Sequence, residues 1–130
     1  MKILDKTNTE ISNIKSWREI FFVGSKTKHW KKHRSAMSTA EFWLDNQKIL
    51  GLEKILKKSF PDLSLELAYP ECELVFDKYS HPRENDILAL DKNNKYLISV
   101  EAKTDESFGN CIFLDAMRKA IIEHRVHIMV

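Results

Sequence analysis

Asp86, Glu101 and Lys103 have the types and spacing for chemistry. They lie in the stretch Asn85–Lys103, NDILALDKNNKYLISVEAK. Two short apolar runs, Ile87–Leu90 and Tyr96–Val100, flank a polar turn, Asp91–Lys95, which is the pattern of a β-hairpin. Strand side chains alternate, so Tyr96, Ile98, Val100 and Ala102 take one face while Leu97, Ser99, Glu101 and Lys103 take the other. Antiparallel pairing across the turn sets the start of the first strand beside the end of the second. Asp86, Glu101 and Lys103 then converge at one sheet edge. Two carboxylates there suit Mg²⁺ or Mn²⁺, hard cations that prefer oxygen. A metal so held polarises a phosphoryl group and supplies a hydroxide. The lysine orients that water or neutralises the charge growing on the phosphate. The plainer reading is a surface hairpin carrying an exposed ion pair, which stabilises little.

The elements around the hairpin must position these groups. The chain has 130 residues, the size of one domain, with 43% hydrophobic and 31% charged residues. That balance argues against disorder, and no apolar run approaches the roughly 18 residues of a membrane span. The N-terminus has too short an apolar core and too early an acid for a secretory signal, which points to the cytoplasm. Cys72 and Cys111 have no zinc-like spacing and are expected to stay reduced.

Net charge is +2 but uneven. Residues 15–34 hold seven Lys/Arg (Lys15, Arg18, Lys26, Lys28, Lys31, Lys32, Arg34) against one acid, Glu19. A basic segment on an otherwise mildly acidic domain suits a phosphate backbone, the alternative being a solvated face. Trp30, inside it, either stacks on a base or packs in the core. His29 and His33 have i, i+4 spacing but no acid or cysteine near enough in sequence to complete a metal site.

Ile11, Ile14 and Trp17 suggest a helical turn. Ser35–Ser59 carries helical apolar spacing, with Ser38 and Glu41 as a capping box and a break at Gly51. Leu63, Leu65 and Leu67 allow a strand that Pro70 ends, and 72–78 reads as a better strand. His81 and Arg83 lie near enough in sequence to reach a phosphate at Asp86. Asn110 is a candidate cap for a helix over Cys111–His124, and Val126–Val130 reads as a last short strand.

Asp86 followed by Glu101-Ala102-Lys103 resembles the PD-(D/E)xK nuclease superfamily, with Asn85 where Pro is common. The run SWREIFFVGSKTKHWKKHRSAMSTAEFWL, with ENDILAL and SVEAKTDESFG, resembles an uncharacterised bacterial family assigned to it. The resemblance implies an α/β (α+β) restriction-endonuclease-like αβββαβ core, a mixed sheet flanked by helices. It implies a Mg²⁺- or Mn²⁺-dependent nuclease acting on DNA, with Asp86 and Glu101 as ligands and Lys103 catalytic. In such nucleases a preceding helix often lends an acid, which makes Glu41 a candidate beside its capping role. Lys26, Lys28, Lys31, Lys32, Arg34 and Arg83 are the candidates for nucleic-acid contact. The chain stops soon after the ExK strand, so its apolar tail is expected to be covered by a second copy, as a homodimer. A different class stays open on the same fold: an idle nucleic-acid binder or a protein-interaction regulator, for example in phage defence.

Overall fold

The computed structural model describes residues 1–32, 34–74, 83–103 and 124–129. Asn13 starts the first helix, α1 (Ile14–Phe21), its Oδ1 accepting from Ser16 N at 2.8 Å. Trp17 and Phe21, one turn apart, are the buried stripe of α1. A 3₁₀ helix over Gly24–His29 follows, entered through Gly24 at φ +61°, a conformation that glycine adopts freely. Trp30 closes it by packing in the core against Phe22, ring centroids 5.0 Å apart.

The long apolar stretch divides into α2 (Ser35–Trp43) and α3 (Asn46–Leu56). The break is at Asp45, not Gly51, because Asp45 Oδ1 accepts from Gln47 N and Lys48 N at 3.0 and 3.4 Å and caps α3. Gly51 lies inside α3, where a glycine costs about 1 kcal/mol relative to alanine but does not break the helix. The capping box is also corrected. Helix α2 already runs from Ser35, so Ser38 and Glu41 are interior residues.

The strands are β1 (Lys2–Ile3), β2 (Leu65–Leu74), β3 (Arg83–Asp91), β4 (Leu97–Ala102) and β5 (His124–Met129). They form one mixed sheet in the order β1-β2-β3-β4-β5, with β1 parallel to β2 and the remaining neighbours antiparallel. Pro70 does not end a strand. It lies within β2 and pairs with Ile87 of β3. Proline is tolerated there because β1 pairs only as far as Ala68, so among the described residues β2 has no ladder partner on that side for a Pro70 N–H to serve.

The β3–β4 hairpin has the expected turn. Asp91, 1% exposed, accepts from Lys95 N at 2.6 Å and Tyr96 N at 2.8 Å and so folds Lys92–Lys95 back on itself. Burial alternates along β4, with Ile98, Val100 and Ala102 inside. Ile98 and Val100, with Ile87, Ala89 and Ala68, meet Trp17, Ala40, Trp43, Ile49, Leu52 and Leu56 of the three helices in one apolar core. The fold is α+β, a mixed sheet with helices packed against it. The helix expected over Cys111–His124 lies outside the described residues except for His124, which opens β5. Cys72 is a free thiol, and Cys111 lies outside the described residues. Among the described residues no helix is long and apolar enough to cross a membrane.

Candidate active site

The site starts one residue before Asp86. Regular β3–β4 pairing reaches Ile87↔Val100. Beyond it Asn85, 4% exposed, takes over the cross-linking. Its Nδ2 donates to Cys72 O of β2 at 3.0 Å, and its Oδ1 accepts from Ser99 Oγ of β4. A proline here would leave the amide contacts to both neighbouring strands unmade. Asp86 follows, and its Oδ2 accepts from Ala102 N at 2.6 Å. That bond pins the Asp86 carboxylate beside the backbone that carries Glu101 and Lys103. Lys103 Nζ lies 3.0 Å from Glu101 Oε1, with the lysine side chain only 24% exposed.

The charges act on one another. Burial raises the Asp86 carboxyl above its usual range; the Ala102 N–H opposes this, Glu101 adds to it and Lys103 opposes it. Asp86, Glu101 and Lys103 therefore surround a single peptide unit, Ala102. Glu41 is not brought in. It is exposed on α2, and the residues of α2 that reach the site are Ala36 and Thr39.

Asp86 opens into a cavity of about 280 Å³, walled by Trp17 and Phe22 and rimmed by Lys26 and His29. Glu71 and Glu84 share it. Glu71 lies in β2 between residues paired with Ile87 and Asn85, which sets it across the ladder from Asp86. Its backbone is left-handed, φ +49°, a strained state for a non-glycine residue. Burial, a hydrogen bond with Glu84 and the charge of Asp86 push its carboxyl up to about 8. Glu84 is held below its usual range by its hydrogen bonds with Glu71 and Lys26. The sequence does not single out Glu71, because a proline normally ends a strand and Glu66 and Glu73 stand in the same segment; the dipeptide Pro70-Glu71 is the signal available.

Lys26, grouped by sequence with the phosphate-binding candidates, is half-exposed and pairs with the acids instead. Its Nζ lies 3.3 Å from Glu84 Oε1 and 4.0 Å from Glu71 Oε2. Lys28, in the 3₁₀ helix, and Lys31, Lys32 and Arg34, on the connection into α2, are exposed. Arg83 opens β3 opposite Leu74, and His33 and His81 lie outside the described residues.

Among the described residues no three His, Cys, Asp or Glu side chains are gathered as a ready metal cage. The donor set is two carboxylates, hard oxygen ligands. Mg²⁺ commonly takes one or two carboxylates and completes its shell with waters and substrate phosphate, so Asp86 and Glu101 fit that ion.

Residues 10–126 match the profile of a family described as a domain of unknown function, DUF6946. The chain belongs to this family. The DUF6946 match covers α1 to α3, β2 to β4, and so every residue of the site above. No curated protein and no solved structure matches the chain.

Proposed function

We propose that this DUF6946 chain is a metal-dependent nuclease that hydrolyses phosphodiester bonds, in DNA before RNA, on a restriction-endonuclease-like core of the PD-(D/E)xK kind. The observation that carries the reading is the Asp86 Oδ2–Ala102 N hydrogen bond, because it seats the first acid against the Glu-x-Lys tripeptide. Asp86 and Glu101 would hold Mg²⁺ or Mn²⁺. Such an ion, when bound, neutralises phosphate charge and lowers the pKa of a water. Lys103, held by Glu101 and partly shielded from solvent, faces the charge that grows on the phosphate. Lys28, Lys31, Lys32 and Arg34 hold the backbone of the nucleic acid.

Calorimetric titration of Mn²⁺ into the wild type and Asp86→Asn tests the ligand assignment. Loss of a ligating carboxylate is expected to weaken binding by at least about tenfold. Equal affinity in the two proteins removes the site. Plasmid and RNA cleavage with and without Mg²⁺ tests the activity. Lys103→Ala is expected to abolish cleavage while moving Tm by no more than a few degrees, as substitutions outside the core do. Unchanged cleavage would withdraw the role of Lys103.

A further inference from the structure

Lys26 stands where a counter-ion is needed. It projects from the 3₁₀ helix at Gly24–His29 between two clefts, the cavity beside Asp86 and a second of about 540 Å³ that reaches Lys6 and Val23. Glu71 and Glu84 line both clefts with it. The ammonium therefore sits 3.3 Å from the Glu84 carboxylate and 4.0 Å from the Glu71 carboxyl, with Asp86 sharing the cavity. The Glu71 side chain is 17% accessible, against 50% for Lys26 and Glu84.

The bond that holds Lys26 is weak by construction. Both Lys26 and Glu84 side chains are 50% exposed, and ion pairs of that exposure contribute about 0–1 kcal/mol. Its mount is firm. The segment is closed at its ends by the Phe22–Trp30 ring contact and inside by Thr27 Oγ1 donating to Gly24 O at 2.8 Å. The side chain can thus leave without the loop unfolding. A dication bound by Asp86 competes for the same negative field with twice the charge.

We infer that Lys26 is a built-in competitor for the cation site: its ammonium balances the Glu84 carboxylate and the Glu71 carboxyl next to Asp86 in the metal-free protein, and metal binding releases it. This rests on the reading of Asp86 and Glu101 as cation ligands. The released ammonium joins the exposed run Lys28, Lys31, Lys32 and Arg34, so that loading the metal also strengthens the phosphate-binding face.

Mn²⁺ titration into the wild type, Lys26→Met, Lys26→Arg and Asp86→Asn tests it. Lys26→Met keeps the length of the side chain and removes its charge. It is expected to bind Mn²⁺ about fivefold more tightly, the effect of one partly screened charge a few ångströms away. Lys26→Arg keeps the charge and is expected to stay near wild type. Unchanged or weaker binding in Lys26→Met, with binding still lost in Asp86→Asn, overturns the competition and leaves the site standing. Binding that Asp86→Asn does not weaken overturns both. A second measurement needs no variant at position 26. Acylation of Lys26 by an amine-reactive ester, read by peptide mass spectrometry, is expected to rise when Mg²⁺ is added to the wild type but not to Asp86→Asn. Equal acylation with and without Mg²⁺ in the wild type overturns the release.

Discussion

At the scale of single residues, Glu71 concentrates the cost of the site. Its left-handed backbone, φ +49°, costs on the order of 1–3 kcal/mol in a residue with a β-carbon. Its carboxyl, pushed up from 4.5 to about 8 by burial, by Glu84 and by Asp86, binds a proton more tightly folded than unfolded. The folded state then holds more protons across that interval, so stability falls as pH rises through it. The contribution is fully present below about 4.5 and gone above about 8. Asp86 is also raised and has the same sign. Glu84 is lowered and has the opposite sign, but its contribution is lost only as pH falls below the ordinary glutamate range. Thermal melts of the metal-free protein should therefore show Tm falling from pH 5 to pH 8, and Glu71→Gln should flatten that slope. A wild-type Tm that rises over this interval would contradict the assignment.

At the scale of elements, the hairpin was the most legible part of the chain because its signals are local. Period-two alternation and a polar turn are both visible in a short window, and β4 buries the side chains that alternation assigns to the core. Asp91 is the residue that makes the turn. It is fully buried, and its carboxylate receives the N–H groups of Lys95 and Tyr96. Tyr96 also donates its hydroxyl to Asp62 Oδ1 at 2.6 Å and packs on Phe60, which ties the turn to the end of the helical layer. Asp91→Ala leaves two backbone donors unpaired, the buried Tyr96 N–H and the less buried Lys95 N–H, and should cost about 2 kcal/mol, measured as a lower midpoint in urea at unchanged slope. A loss below about 1 kcal/mol would mean that water replaces the carboxylate. What the sequence did not disclose depends on distant partners. Proline ends most strands, and Pro70 is accepted only because β1 is too short to need its N–H. Asp45 rather than Gly51 divides the helices because a capping carboxylate sets a boundary more firmly than one flexible residue does. Glu71 and Asn85 became visible as site residues only when the β2–β3 register set them beside Asp86.

At the scale of the whole molecule, the segment 15–34 carries seven cations against one acid, and the fold sorts them. Lys26 lines the cavity that Asp86 shares and pairs with Glu84, whereas Lys28, Lys31, Lys32 and Arg34 are exposed and do not line it. Basic and acidic groups therefore adjoin at Lys26, and the exposed run flanks the pocket-lining Lys26 and His29 in sequence. On the proposed reading, the exposed run holds a phosphate backbone for hydrolysis at Asp86. Attraction of this kind works by counterion release, so the logarithm of the binding constant falls with the logarithm of salt, at about 0.9 per phosphate contact on duplex DNA. Lys31 and Lys32 are adjacent and exposed, so Lys31→Glu with Lys32→Glu should spare the fold. Binding to unrelated duplexes should weaken alike, and the salt slope should drop by about 1.8, two contacts' worth. A slope unchanged by the double substitution would mean that this run faces bulk solvent or a protein, and that nucleic acid, if it binds, approaches the pocket from another side.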